Sequence, residues 1–143
     1  MMLDFLDTNI IVYANDRTDT RKQEIAIDLI GERMKNGGGV ISTQVLQEYA
    51  VNALGKLEQA VPVVMHQLRL LEFLKVVTIE PESVRRALEV AELYGISYWD
   101  ALIVSAAEKA GCARILTEDL NPGQFYCGME CVDPFASDKA PGI

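Results

Sequence analysis

LDFLDTNIIVYAND, residues 3–16, changes its period partway along. The first five residues form a short alternating apolar run, which reads as a strand, and from Thr8 onward the apolar residues fall at helical spacing. A strand that runs straight into a helix is how an α/β chain begins. Asp7 stands at the end of that strand, where open α/β sheets gather their functional side chains.

Working outward, the spacing predicts a helix over about 20–35, with Ile25, Ala26, Leu29, Ile30 and Met34 on its apolar face and the glycine run 37–39 closing it. A strand over about 39–42 then leads into a helix over about 43–53, whose stripe of Val45, Leu46, Tyr49, Ala50 and Ala53 leaves Glu48 on the flank. A further helix is expected over about 57–73, with Pro62 tolerated near its first turn or at a kink. KVVTI, residues 75–79, reads as the third strand, and Pro81 opens a helix that Gly95 stops. From Trp99 through Ala107 the side chains are apolar nearly all round, as in a helix buried within the domain. ARILT, residues 113–117, and MECV, residues 129–132, read as the fourth and fifth strands. Alternating strands and helices favour a mostly parallel sheet covered on both faces and joined by right-handed crossovers.

The 143 residues, half of them apolar, suit one domain, expected over 1–135 with a loose tail over 136–143. No stretch approaches the roughly 20 apolar residues of a membrane span, and the acidic N-terminal segment does not resemble a secretory signal, so a cytoplasmic protein is expected. Cys112, Cys127 and Cys131 are expected to be reduced thiols, and with a lone His66 they make a poor zinc set. A formal net charge of −8 argues against a general nucleic-acid-coating protein but leaves a nuclease open. The basic residues fall in two groups, Arg17, Arg21 and Lys22, and Arg85 with Arg86.

Asp7, Glu48, Asp100 and Asp119 lie in four separate segments, each where an apolar run ends or a helix begins. Singly each has a plain structural role: Asp7 a helix cap, Asp119 a turn residue, Asp100 the third position of a capping box from Ser97, Glu48 a surface side chain. Jointly, all four can face the carboxyl edge of one parallel sheet. Acids within about 6 Å of one another repel unless a cation holds them, and Mg²⁺ or Mn²⁺, hard ions that take oxygen ligands, would do so. Asn9, Thr8 and Thr117 add uncharged polar groups beside them; for Thr8 helix capping is the preferred reading.

Four stretches carry a resemblance in order: FLDTNIIVYA from Phe5, STQVLQEY from Ser42, SYWDALIV from Ser97 and ILTEDLNPGQ from Ile115, with Gly128, Val132, Pro134 and Phe135 closing the pattern. The chain resembles a PIN-domain ribonuclease of the VapC-like toxin type, over nearly its whole length. The resemblance implies a three-layer α/β/α sandwich with about five strands, and an Mg²⁺- or Mn²⁺-dependent endoribonuclease acting by metal-activated water. It implies Asp7, Glu48, Asp100 and Asp119 as the catalytic and metal-binding acids, supported by Asn9 and Thr117. It also implies an RNA substrate, a homodimer and a cognate antitoxin. Arg17, Arg21 and Lys22 are candidates for phosphate contacts. A PIN nuclease of RNA maturation and an inactive PIN-like interaction module are the alternatives. A phosphatase using Asp7 as nucleophile fits less well, because Asn9 stands where its second acid belongs.

Overall fold

A computed structural model of the chain describes residues 2–136. Asp4–Leu6 form β1, and the Asp7 carboxylate accepts from the Thr8 amide to start α1, Thr8–Ala14. Helix α2, Thr20–Asn36, ends at Gly37, whose φ of 72° is the left-handed conformation that glycine takes without strain. Then come β2, Gly39–Ser42, α3, Thr43–Leu54, α4, Val61–Leu71, and β3, Lys75–Val77. Helix α5 is Pro81–Tyr94, α6 is Tyr98–Ala110, β4 is Arg114–Leu116, β5 is Phe125–Tyr126 and β6 is Met129–Val132.

The six strands lie in the order β3-β2-β1-β4-β6-β5, all parallel to their neighbours except β5, which is antiparallel to β6. From central β1 the chain steps outward to β2 and β3, then returns across the sheet to β4 on β1's other side. Right-handed crossovers therefore put the intervening helices on opposite faces: α1 packs on α2 and α3, and α3 on α4, while α5 packs on α6. The result is an α/β/α sandwich. Because both faces are covered, Phe5, Leu6, Val40, Ile41, Ile115 and Leu116 are all wholly buried.

Four expectations need adjustment. Helix α4 begins at Val61 rather than near residue 57, because Pro62 belongs in a first turn and Glu58, at φ 52°, breaks any helix before it. Strand β3 stops at Val77, and β5 is a sixth strand of two residues that carries too short a pattern to read. Helix α6 is buried from Ala101 through Ala107 as expected, but Trp99 at its start is 63% exposed. The tail expected over 136–143 lies, from residue 137, outside the described residues.

At the sheet's amino edge Asp4 is buried and accepts from Arg33 on α2 and, through two nitrogens at 2.8 and 2.7 Å, from Arg114 on β4. At the carboxyl edge, the Asp7 amide donates to the Leu116 carbonyl and the Thr117 amide to the Val132 carbonyl. The ends of β1, β4 and β6 are thus held in line, with the four acids grouped beyond them.

Candidate active site

One cavity of about 330 Å³ at the carboxyl edge is lined by Asp7, Glu48, Asp100 and Asp119 together. Asp7 comes from the end of β1, Asp119 from the turn after β4, Glu48 from α3 and Asp100 from the first turn of α6. Some of the structural roles weighed singly are also filled. Asp7 does cap α1, and the Asp100 amide does donate to the Ser97 hydroxyl, at 3.1 Å. Capping and facing the cavity are compatible, since a cap residue sits at the very mouth of a helix.

Three of the four acids, Asp7, Glu48 and Asp119, are aimed by neutral donors. Thr117 Oγ1, wholly buried, donates to Asp7 Oδ2 at 2.6 Å, and the Thr8 amide donates to Asp7 Oδ1 at 2.7 Å. Asn9 Nδ2 donates to Asp119 Oδ2 at 2.8 Å, while the Asp119 amide donates back to Thr117 Oγ1. Thr8 does not cap with its side chain: its hydroxyl donates to Glu48 Oε1 at 2.6 Å, because Asp7 already occupies the cap. Gln44 is a site residue that the sequence reading did not single out. It is 4% exposed, donates through Nε2 to the Trp99 carbonyl at 3.2 Å and to Glu48 Oε2 at 3.5 Å, and so links α3 to the turn bearing Asp100. Its i, i+4 spacing to Glu48 was the available signal.

Burial pushes the Asp7 carboxyl up to about 7, with the nearby Asp119 and Glu48 carboxylates adding to the rise against the hydrogen bonds from Thr117 and Thr8. Asp119 is also raised, by burial first and then by Asp100 and Glu118. Among the described residues no three His, Cys, Asp or Glu side chains converge as direct ligands of one ion. The four carboxylates face a shared space rather than a shared point. Their all-oxygen chemistry and mutual repulsion suit Mg²⁺, which usually takes one or two carboxylates and keeps several waters.

The basic candidates do not line the cavity. Lys22 Nζ pairs with Glu118 Oε2 at 2.9 Å and also donates to the Tyr13 hydroxyl. Arg21 donates to the Phe135 carbonyl at 2.6 Å, and Arg17 is exposed. None of the three lines the cavity, whose lining holds no Lys or Arg. The three cysteines are free thiols.

Comparison with known proteins places these features in context. The PIN domain family model matches residues 5–125. The fold is similar to a toxin–antitoxin complex from Klebsiella pneumoniae, at 18% identity and a TM-score of 0.67 over 92% of this chain and 97% of that one. It is similar to VapBC2 from Rickettsia felis bound to a promoter DNA fragment, at 20% identity and a TM-score of 0.65 over 91% and 97%. It is also similar to VapC20 of Mycobacterium tuberculosis, described as a sarcin-ricin loop cleaving toxin, at 18% identity and a TM-score of 0.62 over 81% and 91%. No curated protein matches by sequence.

Proposed function

The chain belongs to the PIN domain family, and from that premise we propose that it is a divalent-metal-dependent endoribonuclease, the toxin of a toxin–antitoxin pair. The observation that carries the reading is the meeting of Asp7, Glu48, Asp100 and Asp119, from four separate segments, on one cavity. The toxin assignment is supported by fold likeness to toxin–antitoxin complexes that match this chain nearly end to end.

The four carboxylates would hold Mg²⁺ or Mn²⁺. Such an ion neutralises phosphate charge and lowers the pKa of a bound water, which an uncatalysed phosphodiester lacks. The chain's own part is orientation. Thr117 and the Thr8 amide fix both oxygens of Asp7, Thr8 and Gln44 fix Glu48, and Asn9 fixes Asp119. With its carboxyl raised to about 7, Asp7 would share a proton with solvent near neutral pH, and a bound cation would favour the deprotonated form. No Ser–His or Cys–His pair accompanies the acids in the cavity lining, so direct hydrolysis is preferred over a covalent intermediate.

A groove between α1, α2 and α4, lined by Ile11, Ile27, Leu70 and Phe73, offers an apolar seat for the helix of an antitoxin. A homodimer is part of the same reading.

The test is cleavage of structured and single-stranded RNAs by purified protein with Mg²⁺, Mn²⁺ or EDTA. Folded Asp7→Asn and Asp100→Asn variants serve as controls. Cutting that needs the metal and falls at least roughly a hundredfold in both variants, about 2.7 kcal/mol of barrier, is the expected result. Equal cutting by wild type and both variants would remove the nuclease site.

A further inference from the structure

The cavity poses an electrostatic problem for a polyanion. Its lining carries four acids and no Lys or Arg, and of the basic candidates Lys22 is paired with Glu118, next to Asp119, and Arg21 with the Phe135 carbonyl. A bound cation can offset the carboxylates at one phosphate, but no side-chain cation in the lining grips the neighbouring ones. Within the lining itself, further affinity has to come from uncharged contacts.

Trp99 is the ring that the cavity lining provides. It occupies the second position of α6, directly before Asp100, with its carbonyl held by the buried Gln44 amide at 3.2 Å. Its ring meets the Tyr98 ring edge-on, centroids 5.0 Å apart at 80°, while the side chain stays 63% exposed. Tyr98 and Gln44 thus support both the ring and its backbone. Across the same cavity α3 presents Gln44, Gln47, Glu48 and Val51 on one face, at i, i+3, i+4 and i+7. Val51 is 72% exposed and Gln47 is exposed as well. An aromatic face, a small apolar side chain and an amide, all beside the acids, make the composition of a nucleobase subsite.

We propose that Trp99 is a stacking platform for an unpaired nucleobase adjacent to the scissile phosphate, with the Gln47 amide positioned along the base edge. The proposal rests on the nuclease reading above and names its substrate form. A base within a duplex has both faces covered by its neighbours, so the platform selects single-stranded or flipped-out nucleotides.

Trp99 is the sole tryptophan of the chain, so fluorescence excited at the red edge of tryptophan absorption, where the five tyrosines scarcely absorb, reports this position. A short single-stranded RNA and an abasic ribose-phosphate oligomer of equal length are titrated in Mg²⁺ while emission is followed. In parallel, KM and kcat are measured for wild type, Trp99→Phe and Trp99→Leu. The expected result is quenching by the RNA and not by the abasic oligomer. KM should rise roughly tenfold in Trp99→Leu, with kcat within about twofold of wild type and most of the loss restored by Trp99→Phe. If wild type cleaves RNA while Trp99→Leu keeps its KM, or if both oligomers quench alike, the platform is refuted and the nuclease reading stands. An emission change that follows protein concentration alone, with KM unchanged in the variants, would assign the ring to a contact between copies and overturn the proposal. If wild type neither cleaves RNA nor is quenched by it, both readings fall together.

Discussion

At the scale of single residues, Asp7 is pulled two ways. It is 6% exposed and crowded by other acids, so its carboxyl is raised from 3.8 to about 7, with burial the leading cause. The folded state therefore binds this proton more tightly than the unfolded chain does. Its contribution to stability is full below about pH 4 and is lost as the pH rises through about 7. Stripped of metal with EDTA, the protein should accordingly melt at a lower temperature at pH 8 than at pH 5. Asp7→Asn should recover part of that difference, which is bounded by roughly 4 kcal/mol for a shift of this size. Thermal melts of both proteins at the two pH values would check this, and a wild type that gains stability toward pH 8 would contradict it. Thr117 makes a second residue-scale prediction. Its hydroxyl donates to Asp7 and accepts from the Asp119 amide, so Thr117→Val removes a support common to two acids at little cost in volume. RNA cleavage is expected to fall about 10–100-fold, as for other groups that orient metal ligands, with kcat measured beside circular dichroism to confirm the fold.

At the scale of elements, close approach sets the tolerances. A Cβ on Gly39 would stand 2.6 Å from Leu74 Cδ2 and 2.8 Å from Arg33 Cβ, so β2 lies against α2 and the residues before β3 only because that position lacks a side chain. Gly39→Ala should cost about 1–3 kcal/mol, read as a lowered midpoint in urea. The groove between α1, α2 and α4 makes the opposite prediction, since its rim is exposed: Phe73 is 76% accessible. Phe73→Glu should leave RNA cleavage unchanged and abolish copurification with a co-expressed antitoxin; an intact complex would place the partner elsewhere. Elements also explain what could be read in the chain beforehand. Strands β1, β2, β4 and β6 were legible because residues buried on both faces leave apolar runs bounded by turns, and α2 and α5 because glycine stops them. The joint placement of Asp7, Glu48, Asp100 and Asp119 was legible because a parallel sheet delivers strand ends to one edge. The two-residue β5 carries no period, and the exposure of Trp99 was hidden because an apolar side chain at a helix start looks the same whether it faces a core or a cavity. The pairing of Lys22 with Glu118, 96 residues later, is a tertiary contact that no local pattern announces.

At the scale of the whole molecule, the net charge of −8 and the lack of Lys or Arg in the cavity lining predict an unusual salt response for a nuclease. RNA affinity at fixed Mg²⁺ should fall less than about tenfold between 50 and 200 mM NaCl, because few phosphates are neutralised by side chains. A steep loss, measured by filter binding, would reveal a basic track outside the cavity. The sheet order has a consequence of another kind. Central β1 pairs on one side with β4, Phe5 opposite Ile115, across 110 residues of chain. During synthesis the first strand therefore waits half-covered until β4 has left the ribosome, and Asp119, the last of the four acids, emerges just after the strand that completes the pairing. A chain interrupted anywhere before that point carries at most three of the four acids. On the nuclease reading proposed above, an incomplete product would lack the full acid set, and cutting capacity would arrive in one step, once residue 119 has been made.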